Sequence, residues 1–356
     1  MTRTITILIH EWVTGGGLAG SPLPESWARE GNAMRRAIAR DFASIPTIPT
    51  RVIMTLDSRL PREPGPWEIL PVEEGGEIET VMCRASRADY TLIIAPETDG
   101  ILADWAARLE RPGIRSLGSN AESIALTGDK LAFARHLRDR GIATPPARLV
   151  EGGAIPSVDL PFPAVLKPID GAGSLDTYLI DTPEQLAEIV PSHPWGEMLA
   201  QPYVPGDALS ASYLVDVDGN PHRIGIGRQA IAIRENRFQY LGGEIPAFPD
   251  LDDGPLRSAI RAIAGLRGYL GVDFVRDRRT GDLTVIEINP RATTSTVGLC
   301  RLLPPGRLAG AWLAACGGPG ANNPEIFRHL ADRLANSPGI AFTADGTFLP
   351  RTAENP

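Results

Sequence analysis

The sequence predicts an α/β (α+β) protein with a small parallel domain followed by a larger β-rich part, and three observations support this fold class. Residues 4–9 and 90–95 are short apolar runs with several β-branched side chains, as expected of strands buried on both faces of a parallel sheet. Between them, residues 27–43 carry apolar side chains at helical spacing. From residue 144 onward short strands follow one another, with Asp218-Gly219-Asn220 as a strong hairpin turn.

The first elements can be placed in chain order. Residues 50–56 form a further strand of the N-terminal parallel α/β domain. A second unit begins near Ser119, where Ser119-Asn120-Ala121-Glu122 has the spacing of a capping box. A helix is expected over 127–140, up to Gly141. The strands expected after it are 164–168, 197–201, 209–217 and 221–226.

The last third of the chain is expected to combine one helix with a hairpin. Residues 255–270 carry apolar side chains on one helical face. Strands 271–276 and 283–289 flank a turn at 277–282. A short helix follows residue 322, and we expect the tail, 342–356, to be poorly ordered.

Composition excludes several classes of protein. Hydrophobic residues make up 43% and charged residues 22% of the 356 residues, an ordinary globular balance that excludes wholesale disorder. With 35 Lys and Arg against 43 Asp and Glu, the net charge of −8 argues against nucleic-acid binding through phosphate contacts. No apolar stretch approaches 18 residues and the N-terminus lacks a signal-peptide pattern, so we expect no membrane association and a cytoplasmic location. The three cysteines lack zinc-binding spacing and are expected to be reduced.

The segment Gly15-Gly16-Gly17-Leu18-Ala19-Gly20 matches the GxGxxG pattern of dinucleotide-binding loops in letters only. That pattern requires glycines in a tight turn that opens a helix directly after a strand. Here residues 10–14 separate the strand from the glycines, and Ser21-Pro22-Leu23-Pro24 does not begin a helix. We therefore favour a flexible glycine loop that covers a substrate over a dinucleotide oxidoreductase, with a plain structural turn as the alternative.

Three oxygen-bearing side chains are expected to converge near the end of the β-rich part. Glu287 and Asn289 are two residues apart on a predicted strand and therefore share a face. If the turn at 277–282 closes a hairpin, Asp273 comes opposite or next to Glu287. Two carboxylates and an amide, completed by nucleotide phosphates, suit Mg²⁺. The alternative is a solvated strand face with ordinary polar alternation.

A lysine and a glycine-rich segment form a second candidate site. Lys167 ends an apolar strand, where a charge is costly unless it is paired. The following Gly171-Ala172-Gly173-Ser174 can turn its backbone N–H groups toward an anion, because glycine tolerates the necessary dihedral angles. The alternative is a surface lysine before a β-turn.

A third segment runs from an apolar strand at 197–201 into a proline-rich stretch that ends at Gly206 and Asp207. Its backbone groups can pair with the edge of an adenine, and Asp207 can reach a ribose hydroxyl. The alternative is a simple connector.

In this order and spacing, the segments resemble the ATP-grasp superfamily over roughly residues 119–303. The resemblance implies an ATP-grasp fold with an N-terminal pre-ATP-grasp domain, and ATP and Mg²⁺ as cofactors, with Mn²⁺ as an alternative ion. It also implies catalytic roles for Lys167 and Arg291, the latter in steadying phosphate or acyl-phosphate. The implied nucleotide-binding residues are Lys130, Lys167, Gly171, Gly173, Ser174, Gln201, Tyr203, Val204 and Asp207, and the implied metal ligands are Asp273, Glu287 and Asn289.

Shorter segments resemble the tyramine–glutamate ligase branch of that superfamily. They begin with Glu11-Trp12-Val13-Thr14 and three glycines, where Trp12 and Thr14 depart mildly from the branch pattern. Glu30-Gly31-Asn32, Gly227-Arg228-Gln229 and Tyr240-Leu241-Gly242-Gly243 follow. The implied substrate-binding residues are Glu11, Trp12, Gly15, Gly16, Glu30, Arg228, Gln229 and Gly243.

The resemblance implies an ADP-forming carboxylate–amine ligase that works through an acyl-phosphate. In this branch the substrates are glutamate and tyramine, in methanofuran or methylofuran biosynthesis. A composition rich in Ala, Arg and Pro favours a bacterial source, for which a tyrosine-like acceptor is the alternative. The expected partners are the small carboxylate and amine, with no nucleic acid or membrane, and a homodimer is compatible with this interpretation. The alternatives are another ATP-grasp peptide or D-alanine-type ligase, and a non-catalytic nucleotide-binding module.

The same interpretation divides the chain into four parts. Residues 1–118 form the N-terminal substrate domain, and 119–196 form the first ATP-grasp subdomain with the phosphate loop. Residues 197–320 form the second subdomain with the hinge and the metal site, and 321–356 form a C-terminal helix and tail.

Overall fold

Two β-sheets organise the chain, and a computed structural model describes residues 3–150, 160–171, 176–189 and 197–349. The smaller sheet has the order β3-β2-β1-β4 and is parallel throughout. Its apolar strands are buried, as the sequence predicts for a parallel sheet covered by helices. The elements of this N-terminal part are β1 (Ile5–Glu11), α1 (Glu25–Phe42), β2 (Thr50–Asp57), β3 (Glu68–Val72), α2 (Glu77–Ala85), β4 (Tyr90–Ile94) and α3 (Ile101–Glu110).

The larger sheet is antiparallel and has the order β13-β12-β9-β10-β11-β7-β6-β8-β5, with β14 paired to β11. The candidate site lies on this sheet where β12 and β13 pair. The elements from α4 onward are α4 (Ala121–Gly128), α5 (Lys130–Arg138), β5 (Arg148–Val150), β6 (Ala164–Pro168), β7 (Tyr178–Ile180), α6 (Pro183–Ile189), β8 (Met198–Pro202), β9 (Asp207–Val215), β10 (Pro221–Arg234), β11 (Arg237–Ile245), α7 (Gly254–Arg261), β12 (Gly268–Arg276), β13 (Leu283–Asn289), α8 (Ser295–Leu302), α9 (Arg307–Ala315), α10 (Glu325–Ala335) and β14 (Ile340–Thr343).

Two predicted helices differ from the observed ones for local reasons. The helix expected over 127–140 is interrupted at Asp129, whose side chain caps a new helix by accepting hydrogen bonds from Leu131 N and Ala132 N at 2.9 Å. The helix expected over 255–270 ends at Arg261, and β12 already begins at Gly268. Gly268 has φ +73°, a left-handed conformation that ends helical geometry and lets the backbone of Leu117 approach closely.

The expectation of a poorly ordered tail from residue 342 is wrong for residues 342–349. β14 pairs with β11, and the Phe342 side chain is buried in the core. Gly242 lies so close to Phe342 O that a Cβ would not fit there, and its φ of +132° is one that other residues rarely adopt. Residues 350–356 lie outside the described part of the chain.

One apolar core links the two sheets. Ile7 and Met54 of the small sheet belong to the same buried cluster as Leu214 of β9 and Trp312 of α9. The Trp312 indole N–H donates to Leu117 O at 2.7 Å, where the chain passes from the N-terminal domain to the rest. The fully buried α9 therefore packs between the two sheets and holds them in a fixed relation.

A buried carboxylate on α1 strengthens this junction and yields a stability prediction. Asp41 accepts hydrogen bonds from Gly306 N at 2.6 Å and Ala309 N at 2.7 Å, at the first turn of α9. Asp41→Ala leaves both buried donors unpaired, so we expect the free energy of unfolding to fall by about 2 kcal/mol. Urea unfolding followed by circular dichroism measures this, with the exposed Asp104→Ala on α3 as control. A loss within about 0.5 kcal/mol, as for an ordinary surface change, would contradict the role of Asp41.

Candidate active site

The predicted oxygen cluster forms where β12 pairs with β13. Asp273 and Glu287 are partners in the antiparallel register, so the expectation that the hairpin brings them opposite each other is confirmed. Asn289 Nδ2 donates to Asp273 Oδ2 at 3.1 Å, which brings the third predicted side chain onto the same face. Gln229 Nε2 donates to Asp273 Oδ1, also at 3.1 Å.

The two carboxylates experience opposite electrostatic environments. Burial, together with the neighbouring Glu287 charge, raises the pKa of Asp273. Burial also opposes ionisation of Glu287, but Lys130, Lys167 and Arg291 hold its pKa below the usual value. The Glu287 charge therefore opposes ionisation of Asp273, and a bound cation would stabilise both side chains as anions.

The donor set fits Mg²⁺. Among the described residues no three His, Cys, Asp or Glu side chains are grouped to hold a metal ion, so the site relies on two carboxylates and the Asn289 amide. Mg²⁺ is typically held by one or two carboxylates plus phosphate oxygens and water, which matches such an incomplete protein shell.

Both predicted lysines face this cluster. Asp129 follows α4 and caps α5, so Lys130 is the first residue of α5. The Lys130 Nζ donates a hydrogen bond to Gly171 O and lies 3.9 Å from Glu287 Oε2. Lys167 ends β6 and is buried, and this burial lowers its pKa to about 8 although Glu287 opposes the shift. Of the predicted phosphate loop, Gly171 lines the pocket, while Gly173 and Ser174 lie outside the described residues.

The hinge segment forms the next wall of the pocket, whose volume is about 610 Å³. Gln201, Tyr203 and Val204 all line it. The Gln201 amide is fixed by donating to Pro145 O at 3.3 Å, and the Tyr203 ring lies 6.4 Å from the ring of Phe238. Tyr203, Val204 and Phe238 contribute apolar surface to the pocket, as a nucleotide base requires.

Asp207, predicted to contact the ribose, lines the pocket and is paired with two arginines. Its Oδ1 accepts from Arg278 Nε at 2.9 Å and Arg228 Nη1 at 3.2 Å, so the carboxylate is already neutralised. Arg228, predicted to bind substrate, is likewise engaged by Asp207 and lies 5.0 Å from the Phe248 ring centroid.

The N-terminal glycine segment is a rigid turn and does not reach the pocket. Glu11 is buried, and its carboxylate accepts hydrogen bonds from Val13 N at 3.1 Å, Thr14 N at 2.8 Å and the Thr14 hydroxyl at 2.5 Å. Val13–Gly17 forms a single tight turn in which Gly16 has φ +112° against Val72. The interpretation as a flexible substrate loop is therefore wrong, and the alternative of a structural turn holds.

Three other predicted substrate residues, Trp12, Gly15 and Gly243, also lie outside the lining of the pocket. Trp12 packs against Gly17 and the apolar cluster beneath α3, and Gly15 lies tightly against His10. Gly243 pairs with Gln229 in the sheet and contacts the Phe342 ring. The sequence contained a signal for this turn, because Glu11 is followed three positions later by Thr14. Such a spacing allows the acidic side chain to cap its own turn.

Three predicted substrate residues line the pocket, namely Glu30, Arg228 and Gln229. Glu30 of α1 reaches across from the N-terminal domain, and its Oε1 accepts from the Thr294 hydroxyl at 2.7 Å. Burial raises the pKa of Glu30 despite this hydrogen bond. In the part of the chain that the structure describes, no Lys or Arg lies within ion-pair distance of it. Gln229 also lines the pocket, through its contact with Asp273.

Sequence reasoning missed two residues of the site. Tyr240 of β11 lines the pocket, and burial together with the charges of Asp273 and Glu30 raises the pKa of its phenol. Glu97 follows the end of β4 and is bound to Arg291. Its position at the carboxyl end of a parallel strand, where α/β sheets place ligands, was the available signal.

Comparison with known proteins identifies the class to which this site belongs. Residues 127–295 match a family model described as an ATP-grasp domain, and residues 50–124 match a pre ATP-grasp 3 domain. The fold matches the crystal structure of a protein assigned to the ATP-grasp superfamily from Archaeoglobus fulgidus, with a TM-score of 0.65, 22% identity and coverage of 95% of this chain and 92% of that one. The chain therefore carries an ATP-grasp domain that follows a pre-ATP-grasp domain, and its relatives are named as ligases that form carbon–nitrogen bonds.

Within this class, relatives of two kinds are similar to the chain. Tyramine–L-glutamate ligase of Methanocaldococcus fervens is 29% identical over 238 residues, which cover 65% of this chain and 69% of the relative. D-alanine–D-alanine ligase of Francisella philomiragia is 25% identical over 210 residues, which cover 56% of this chain and 69% of the relative. Among the described residues, no helix combines the length and apolar character needed to cross a membrane.

Proposed function

We propose that the protein joins a carboxyl group of glutamate to an amine of the tyramine or tyrosine type, with ATP consumed and ADP released through an acyl-phosphate. The observation that carries this proposal is a single pocket with two chemically different ends. At one end Asp273, Glu287 and Asn289 face two lysines, and at the other Glu30 forms no ion pair within 4.0 Å among the described residues. The similarity to tyramine–glutamate ligases supports the choice of substrates, and methylofuran-type cofactor synthesis is the proposed context.

At the phosphate end, the chain supplies positioning and positive charge. Lys130 and Lys167 would bind phosphate oxygens, and Arg291 would bind the phosphoryl group as it moves to the carboxylate. Mg²⁺ bound by Asp273, Glu287 and Asn289 would supply charge neutralisation at the transferring group. This arrangement requires no covalent nucleophile of the protein, because activation of the carboxylate comes from ATP.

At the acceptor end, Glu30 would bind the ammonium group of the amine. Thr294 fixes one carboxylate oxygen, Oε1, and thereby directs Oε2 toward the substrate. A primary amine must lose a proton before it can displace phosphate, and a carboxylate with a raised pKa is suited to accept that proton at Oε2. The phenol of Tyr240 lines the same pocket, and its raised pKa keeps it protonated at neutral pH, so that it could donate a hydrogen bond to the substrate.

Glu30→Gln is expected to raise the KM for the amine about tenfold or more while the KM for ATP stays nearly unchanged. A hydrogen bond to a charged group contributes about 1.5–3 kcal/mol, which the neutral amide loses in part. Because burial raises the Glu30 pKa, amine binding should weaken as the pH falls through that pKa, at a higher pH than for an exposed glutamate. Steady-state kinetics across pH measures both effects, and Glu30→Gln should remove the pH dependence of the amine KM.

The matched control is Glu25→Gln, on the same helix but exposed and paired with Arg29. It removes the same charge and should leave both KM values at the wild-type level. An unchanged amine KM in Glu30→Gln, or equal effects of the two variants, would contradict the acceptor site.

A second candidate function is ligation of two amino acids, as the similarity to D-alanine–D-alanine ligases favours. An assay of ADP release with glutamate paired in turn with tyramine, tyrosine and D-alanine distinguishes the two. Release with D-alanine alone, and not with glutamate and an aromatic amine, would replace the proposed substrates by this second candidate.

A further inference from the structure

The turn after β4 of the N-terminal domain contacts the active site through a buried ion pair. Glu97 stands in this turn, and its two carboxylate oxygens accept hydrogen bonds from Arg291 Nε at 2.9 and 3.0 Å, while Arg291 Nη2 lies 2.9 Å from Oε2 as an ion pair. The two side chains are 7% and 14% exposed, so the pair is almost fully desolvated. Bidentate geometry of this kind fixes the plane of the guanidinium as well as its position.

The same turn makes a second contact, at the start of the phosphate loop. Asp99 N donates to Asp170 Oδ2 at 2.9 Å, next to Gly171, whose carbonyl accepts from Lys130. Asp99 has φ +54° and Gly100 has φ +69°, so two successive residues adopt the left-handed conformation. For a residue other than glycine this conformation is uncommon and persists only where surrounding contacts hold it. The turn is therefore a constrained element that touches both halves of the site.

The ion pair determines which anions remain free in the site. Arg291 follows Asn289 by two residues, and the charges of Glu30 and Glu287 act on it in addition to that of Glu97. Without Glu97, the guanidinium would be drawn toward these two carboxylates, because a buried charge requires a partner. With Glu97 in place, Glu287 stays available for a cation and Glu30 for an ammonium group.

We propose that Glu97 is a positioning residue for the ligation: it holds Arg291 where the guanidinium binds the transferred phosphoryl group, and away from Glu287 and Glu30. The inference rests on the proposed function for its reaction, since it assigns Arg291 to the acyl-phosphate. A misplaced Arg291 leaves the acyl-phosphate less well held, so that water competes with the amine for it. Hydrolysis then returns the carboxylate and inorganic phosphate, and ADP is formed without amide.

The test compares Glu97→Gln with Glu97→Asp, and with Asp104→Asn, an exposed change of the same charge on the adjacent α3. Loss of a partner that orients an active-site group typically costs 10–100-fold in activity. We expect a drop of about that size in amide formation for Glu97→Gln, partial rescue in Glu97→Asp, and wild-type activity in Asp104→Asn. The ratio of ADP to amide should rise above that of the wild type in Glu97→Gln. An unchanged ratio would overturn the proposal, since a merely structural loss lowers both products together.

A double-mutant cycle with Arg291→Met tests whether Glu97 acts through Arg291. If it does, Glu97→Gln causes little further loss once Arg291 is removed, and the effects on kcat are strongly non-additive. Additive losses would overturn the proposal. If Glu97→Gln fails to fold by circular dichroism, Glu97→Asp replaces it in the cycle, because it keeps the charge and shifts only its position.

A measurement without substrates separates this inference from the proposed function. Orthovanadate, a phosphoryl mimic, is titrated into the full-length protein with Mg·ADP, and binding is followed by intrinsic tryptophan fluorescence. Glu97→Gln and Arg291→Met should weaken vanadate binding to a similar degree, and the double variant no further. That result together with no turnover of any amine would reject the proposed substrates and retain Glu97 as a positioning residue. Wild-type vanadate binding in Glu97→Gln would overturn the inference whatever the substrates are.

Discussion

Glu287→Gln is expected to abolish amide and ADP formation, with kcat lowered about a thousandfold or more. Glu287 faces Asp273 across the β12–β13 pair and lies within reach of Lys130, so one charged ligand is lost from the centre of the site. Losing such a ligand removes several kcal/mol of transition-state stabilisation. The fold should persist, because the amide has the same shape as the carboxylate and Glu287 is not part of the apolar core.

The measurement is ADP release at saturating Mg²⁺, with circular dichroism to verify the fold. The exposed Glu79→Gln on α2 serves as control and should retain full activity. Activity of Glu287→Gln near the wild-type value at saturating Mg²⁺ would contradict the assignment of the metal site.

Lys167→Met is expected to lower kcat/KM for ATP by about 100-fold or more. Lys167 and Lys130 are the two lysines of a chain whose other 33 basic residues are arginines, and both line the same pocket. A buried ammonium concentrates its charge on one atom, whereas a guanidinium is larger and planar. A cation directed at a phosphate in a site of low dielectric contributes about 2.7–4 kcal/mol when the transition state depends on it.

Lys167→Arg is the informative companion, because it keeps the charge but not the size. We expect it to remain well below the wild type, since Lys167 is only 7% exposed and offers little space for a guanidinium. The exposed Arg62→Met removes a positive charge elsewhere and should leave kcat/KM unchanged. Equal kcat/KM for Lys167→Met and the wild type would show that the lysine has a structural role.

The grouping of Asp273, Glu287 and Asn289 was predictable from sequence because it depends on short-range geometry. Strand periodicity places Glu287 and Asn289 on one face, and a six-residue turn closes the hairpin that brings Asp273 to them. The two lysines and the hinge were predictable for a similar reason, since each stands at the end of a recognisable element. Their roles toward ATP remain predictions, which the variants above test.

The errors arose where a side chain found a partner that local patterns do not reveal. Glu11 precedes a run of three glycines and was therefore predicted to bind substrate. Its carboxylate instead accepts hydrogen bonds from the backbone N–H groups of its own turn. Asp207, whose ribose contact stays a prediction, is paired with arginines from two other strands and a turn, and the alternation of side chains along β9 does not reveal this pairing. Glu97 and Arg291 are 194 residues apart in sequence, so their pairing follows only from the packing of the two domains.

The most direct test of the central claim is the dependence of ADP release on both substrates. The purified protein is incubated with Mg·ATP, glutamate and tyramine or tyrosine, and ADP and amide are quantified with each component omitted in turn. The proposed function predicts equal amounts of ADP and a glutamyl amide, and neither product above background when the carboxylate or the amine is absent. ADP release that needs neither carboxylate nor amine, or no release with any amino-acid or amine pair, would contradict a carboxylate–amine ligase.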